Sequence, residues 1–170
     1  EDINILSNYK DINLFIPSNA TQFKYLFEKN YNNNLINYFR ISEKNIDFNI
    51  KTNGFLKNQR NNSLLIIVGN SYDYRDFKKE KVDVYYINKI SKEMKFNFLK
   101  KYKNILIIEP YFGNVLERRI KEILRKKIFI STCSYQETII HKYGNKKEQD
   151  KYLKFDKKNI SKKIHAFFKS

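Results

Sequence analysis

Cysteine is almost missing from this chain of 170 residues: Cys133 stands alone, so an internal disulfide is excluded and no Cys-x-x-Cys or Cys/His metal spacing exists. Such usage fits a reducing interior, and a cytoplasmic location is expected. Only four glycines and two prolines are present, which excludes collagen-like and low-complexity architectures. It also removes phosphate-cradling loops, because Gly69-Asn70-Ser71 is followed by neither GxGxxG nor GxxxxGK[ST]. Long apolar runs are missing too. The longest, Leu64-Leu65-Ile66-Ile67-Val68, is far too short to span a bilayer, and the N-terminus lacks a basic-then-apolar signal pattern. No membrane association is expected.

What is present is a foldable composition, 41% hydrophobic and 16% aromatic, too apolar for disorder. Length allows one ordinary domain plus a remnant of another. Acid is scarce: 18 Asp+Glu stand against 34 Lys+Arg, a net charge of +16. That charge would attract nucleic acid or phosphorylated ligands. Lys, Asn, Ile, Tyr and Phe are enriched together, however, as an A/T-rich coding sequence favours, and the lysines are spread along the chain. A nucleic-acid footprint should be a localised stripe, so a basic nucleic-acid-binding module is the weaker reading.

Hydrophobic periodicity divides the chain in two. In the first segment 12–16 and 35–41 read as strands, with a helix between them that Asn19 caps, Gln22 lying three residues on; Phe23, Leu26 and Phe27 form its apolar stripe. A polar stretch over 43–63 reads as a linker, with a short extended piece at 48–50. Beyond it, apolar runs at 64–68, 82–87, 105–108 and 128–130 read as buried parallel strands. The crossover between Gly69 and Val82 leaves room for one or two helical turns at most. A helix over 114–126 turns Val115, Leu116, Ile120, Ile123 and Leu124 to one face. A last helix over 157–168, capped by Asp156, turns Ile160, Ile164, Phe167 and Phe168 inward. The fold class is α/β: a mostly parallel sheet flanked by helices, with a partial second α/β domain at the N-terminus. The domains are 1–42, a linker at 43–63, and 64–170. The start at Glu1, without a cap or turn signal, leads to the expectation that the chain is part of something longer.

Glu1-Asp2-Ile3 followed by Leu14-Phe15-Ile16-Pro17-Ser18-Asn19-Ala20 resembles the E-D-I … V-x-x-P-A-D-A passage in the pyrimidine-binding domain of transketolases. Tyr38-Phe39-Arg40-Ile41-Ser42 resembles the Y-x-R-L strand after it. Leu64 to Gly69 is similar to the first strand of that family's C-terminal domain, V-x-I-V-G, and Ile87-Asn88-Lys89-Ile90 to its I-D-x-x-x-I-x-P turn. Ile107-Ile108-Glu109 with Gly113-Asn114-Val115 resembles V-V-E-E … G-G-L-G-S-A-V, and Tyr143-Gly144 with Leu153 to Asp156 and Ile160 resembles Y-G … G-L-D-x-x-x-I. Order and spacing carry the likeness, since each motif alone records a strand, turn or helix start. Deoxyxylulose-phosphate synthases and ketoacid dehydrogenase β subunits share the pattern.

The resemblance implies the C-terminal part or subunit of a thiamine-diphosphate- and Mg-dependent enzyme that moves a two-carbon ketol unit between sugars, working as a dimer. The family's catalytic glutamate, its histidines and its diphosphate- and Mg-binding domain all precede the matching segment. No catalytic residue is therefore expected in these 170 residues, and no cofactor held by this chain alone. The expected partner is the missing N-terminal portion, with a sugar or sugar phosphate as substrate. A non-catalytic structural partner of such an enzyme is the alternative. Substrate contacts are expected at Arg40, Ser42, Glu43 and Lys44. Glu43 stands where the family often has a phosphate-contacting arginine, with Lys44 beside it to offset the change. Arg40 suits either an anion at its strand end or a neighbouring carboxylate. The proline expected near Lys10 is missing, and Pro110 replaces the second acid after Glu109. His141 and His165 are too far apart for a metal pair, His165 reads as a surface or half-buried side chain, and Cys133, with no histidine nearby, reads as structural.

Overall fold

The computed structural model describes residues 2–48, 50–77, 81–124, 128–135 and 144–169. A short helix α1 (Asp2–Leu6) leads into β1 (Ile12–Phe15), α2 (Ala20–Asn30) and β2 (Ile36–Phe39). Strands β1 and β2 are parallel neighbours, and β6 (Lys89–Ile90) joins the other side of β1 antiparallel, giving a three-stranded sheet ordered β2-β1-β6. The larger sheet is five-stranded, ordered β3-β5-β4-β7-β8. Its strands β4 (Ser63–Val68), β5 (Asp83–Ile87), β7 (Asn104–Ile108) and β8 (Phe129–Cys133) are mutually parallel, while β3 (Gly54–Lys57) is an antiparallel edge.

Period two along β4 decides the layering. Leu64, Ile66 and Val68 face one apolar cluster with Ile105, Ile107 and helix α3 (Val115–Leu124); Leu65 and Ile67 face a second with Leu106, Ile108 and helix α5 (Lys157–Lys169). Strand residues from Leu64 to Val68 have no accessible surface, as expected where helices cover both faces of a parallel sheet. Ile3, Leu14 and Ile16 of the first segment join the α3-side cluster. Gly69 is needed where the two sheets meet: its φ is +57°, and a Cβ there would lie 2.4 Å from Ile16 Cγ2.

The α/β class with a mostly parallel, helix-flanked sheet is what the sequence predicts. Four details differ. The extended piece expected at 48–50 is not a strand at Phe48 or Ile50, residue 49 lying outside the described residues; the segment pairs instead at 54–57, against β5. On α2 the buried positions are Gln22 and Leu26, while Phe27 is exposed. Gln22 is drawn in because its Oε1 accepts from Ser18 N and from the Tyr86 and Asn88 side chains. On α3 Ile123 is exposed, the apolar face closing with Val115, Leu116, Ile120 and Leu124. Helix α4 (Lys146–Tyr152) was not expected. Its signal was available: Asn145 and Glu148 form a reciprocal capping box. Among its described residues, the short crossover carries one 3-10 turn, Tyr74–Phe77. Among the described residues, no helix is long and apolar enough to cross a membrane.

Candidate functional site

A cleft of about 480 Å³ opens where the two sheets meet, and Arg40, Ser42, Glu43 and Lys44 all line it. They come together because Arg40 N bonds Phe15 O at the end of β2, after which the chain crosses the carboxyl ends of the large sheet. Buried Asn70, just past β4, donates to Lys44 O. Lys44 Nζ reaches back to Ser71 O at 3.3 Å, and Ser71 Oγ donates to Ile108 O. The 41–45 loop is thus fixed across the ends of β4 and β7. Ser42 and Glu43 also border a smaller hollow of about 270 Å³ beside Pro17 to Ala20, at the start of α2.

Arg40 meets a carboxylate. Its Nη1 lies 2.6 Å from Asp2 Oδ1, and Asp2 also accepts from the Tyr38 hydroxyl at 2.7 Å. Burial works to raise the Asp2 pKa, but the Tyr38 bond and the Arg40 charge outweigh it and hold the pKa below the ordinary value. Glu43 and Lys44 are exposed. Glu43 forms no ion pair among the described residues.

The opposite wall, which the sequence reading missed, is α4 together with Tyr135. Lys146 donates to the Tyr135 hydroxyl and pairs with Asp150, while Tyr135 donates to Asp150 Oδ1 at 3.1 Å. Burial, then the Asp150 charge, pushes the Tyr135 phenol far up. Phe112, Leu153 and Phe155 complete the apolar lining, with the Tyr135 and Phe155 rings 4.6 Å apart edge to face.

Next to the cleft, at the end of β7, Glu109 is fully buried, and its Oε2 accepts from Leu116 N in the first turn of α3 at 3.3 Å. Burial drives its pKa up to about 7, partly opposed by hydrogen bonding. Its Oε1 and the buried Tyr111 hydroxyl complete no hydrogen bond of normal geometry among the described residues, though each perturbs the other's ionisation. Cys133 is buried, burial raising its pKa, and His165 is exposed on α5. His141 and Tyr143 lie outside the described residues. Among those described, no group of three or more His, Cys, Asp or Glu could hold a metal.

No protein-family model matches the sequence, and no curated protein matches it. Solved structures do. A split-gene transketolase, described as an "inactive beta4 tetramer", superposes on 99% of this chain with a TM-score of 0.76 at 11% identity. The fold is transketolase-like. A transketolase from Campylobacter jejuni matches 98% of the chain with a TM-score of 0.70 at 11% identity, and one from Pichia stipitis matches 93% with 0.60 at 9%. The present chain spans 62% of the split-gene chain, 28% of the Campylobacter chain and 25% of the Pichia chain. The likeness therefore takes in both sheets and the helices around them, and corresponds to a C-terminal section of the transketolase fold.

Proposed function

We propose that this chain is the C-terminal part or subunit of a thiamine-diphosphate-dependent, transketolase-like enzyme that transfers a two-carbon ketol unit between sugars, and that it is not catalytic alone. The observation that carries the reading is the superposition of 99% of the chain on a split-gene transketolase, together with the ordered motif series. In this reading residues 1–42 are the end of a pyrimidine-binding domain, 43–63 a linker and 64–170 the C-terminal domain. The enzyme is cytoplasmic and works as a dimer completed by an N-terminal portion.

In this reading the chain holds no cofactor by itself. No metal-holding group of His, Cys, Asp or Glu occurs among those described, and Glu109 already occupies an N–H at the α3 N-terminus, where a diphosphate would otherwise find donors. By the family resemblance, the N-terminal portion supplies Mg, diphosphate contacts and the catalytic glutamate. Arg40, Ser42, Glu43 and Lys44 are left to contact substrate at the rim. Glu43 there disfavours a phosphate, costing roughly 1 kcal/mol at close range in water-like surroundings; the preferred acceptor lacks a terminal phosphate at that end.

Reconstitution tests both claims. The purified chain with Mg and thiamine diphosphate should show no ketol transfer, and the chain combined with its N-terminal portion should show it; activity of the chain alone would overturn the assignment. In the reconstituted enzyme Glu43→Arg should move the kcat/KM ratio toward a phosphorylated acceptor by about tenfold, equivalent to about 1.4 kcal/mol. An unmoved ratio removes Glu43 from the substrate channel.

A further inference from the structure

Helix α3 carries adjacent arginines, Arg118 and Arg119, and neither pairs with a carboxylate among the described residues. Arg119 is half-buried; its Nη1 donates to Ser91 O and its Nη2 to Ser7 O, both at 2.9 Å. Both acceptors are neutral carbonyls. A guanidinium has five N–H donors, so Arg119 keeps three that take no partner among the described residues. Burial holds its pKa below the ordinary value, as expected of a cation drawn from water without a close counterion. Arg118 spends an Nη2 donor on the Asn4 side chain. Glu122 follows at the three- and four-residue spacing where a helical carboxylate ordinarily meets an arginine, yet it forms no ion pair with either.

Beside these arginines a cavity of about 360 Å³ opens between α3, the turn after α1 and the segment after β6. It shares no lining residue with the cleft. Its lining divides by chemistry. Lys92 joins Arg118 and Arg119 as a third cation against the single carboxylate of Glu122, while Met94, Val115 and Ile123 supply an apolar part. Ile123, 43% exposed, is the α3 stripe residue that the large sheet leaves uncovered.

We propose that this cavity binds a small organic carboxylate with an apolar body. The free donors of Arg119 suit the planar, two-oxygen geometry of a carboxylate, and the apolar part takes the remainder of the molecule. Inorganic phosphate fits worse, because its other oxygens would meet Met94, Val115 and Ile123, which have no donor to give. A neutral apolar compound would leave the guanidinium without a counterion. The volume is within the usual range for small-molecule sites. Arg119 already ties the turn after α1 to the segment after β6, so the ligand sits where the flanks of the small sheet meet a helix of the large one.

The test is calorimetry on this chain at near-physiological salt with phenylbutyrate, phenylbutanol, acetate and inorganic phosphate. Phenylbutyrate should bind about tenfold or more tightly than each of the other three. Arg119→Met should weaken it by about tenfold. Because Arg119 also holds two carbonyls, Lys92→Met and Ile123→Asn, both at exposed positions, probe the cavity without touching those bonds, and each should weaken phenylbutyrate by about threefold or more. Lys158→Met, on the exposed side of α5, should leave it unchanged. Equal binding of phosphate, or an equal loss with Lys158→Met, would show attraction to a basic surface only and overturn the site. Equal binding of phenylbutanol would show apolar adsorption only and do the same. Amide NMR shifts in the unaltered chain ask the question without a substitution. Changes centred on Ser91, Met94 and Ile123 support the site, and changes elsewhere overturn it. Neither readout depends on ketol transfer, so the proposal can fail while the transketolase-like assignment stands, and the reverse.

Discussion

The two sheets of this molecule are built from the same amino-acid types and end in opposite conditions. Every residue of β4 from Leu64 to Val68 is inaccessible, sandwiched between α3 and α5. In the small sheet Ile36 is 63% exposed, and around it Tyr31 at the end of α2 is 68% exposed, with Phe27 of α2 and Leu35 and Ile41 flanking β2 also on the surface. Its rings are ordered even so: Phe15 stacks on Phe39 at 4.7 Å, Phe23 meets Phe39 edge-on and Tyr31 stacks on Phe27. The larger sheet buries its central strands, with Phe129 on edge strand β8 61% exposed, whereas the smaller sheet and α2 keep several apolar side chains outward, and faces of that kind mark surfaces used in association.

The largest expected effect breaks the self-sufficient half. Ile66→Ala should cost about 2–5 kcal/mol by chemical denaturation, because a filled core relaxes poorly around a deleted side chain. A loss below about 1 kcal/mol would mean the large sheet is not the stable unit.

Next comes the pH dependence of the buried carboxyl. Glu109 has a folded-state pKa of about 7, above its unfolded value, so the folded state holds the proton longer than the unfolded one. Stability is then fully present below about pH 4, falls as pH rises toward 7 and levels off beyond, by roughly 3 kcal/mol in all. Glu109→Gln should flatten that descent, as measured by denaturation midpoints across the range; an unchanged slope would assign it elsewhere.

The smallest effect concerns the open half. Phe27→Ser and Ile36→Ser should each change the stability of the isolated chain by no more than about 0.5 kcal/mol, while weakening association with a partner that covers this face, read by sedimentation. A large loss of stability in the isolated chain would show that the two halves are more alike than their exposure indicates.

The strands of the large sheet were legible because continuous apolar runs such as 64–68 occur only where both faces are covered. Helix α5 was legible because Asp156 accepts from Lys158 N and Asn159 N just where the apolar period begins. What stayed hidden is set by long-range pairing. Strand β3 carries no apolar run, and Gly54 to Lys57 is extended only because β5 offers it an edge. Gln22 looks like a surface residue until its partners Tyr86 and Asn88, more than sixty positions away, are known. Of the cleft, the 40–44 wall was visible as a motif. The α4 wall rests on seven residues with no apolar period of their own, and its meeting with Tyr135 is a product of the tertiary fold.

Asn88 has a mechanical consequence. The chain leaves β5 at Ile87 and enters β6 at Lys89, so one buried residue joins the two sheets. Its O accepts from Ile16 N at 2.8 Å, its N–H is bound by Asn53, and its side chain reaches Gln22 and Lys51 O. A joint fastened on so many sides transmits torque and does not bend. Any push on the small sheet from a docked neighbour should therefore turn both sheets together as one lever.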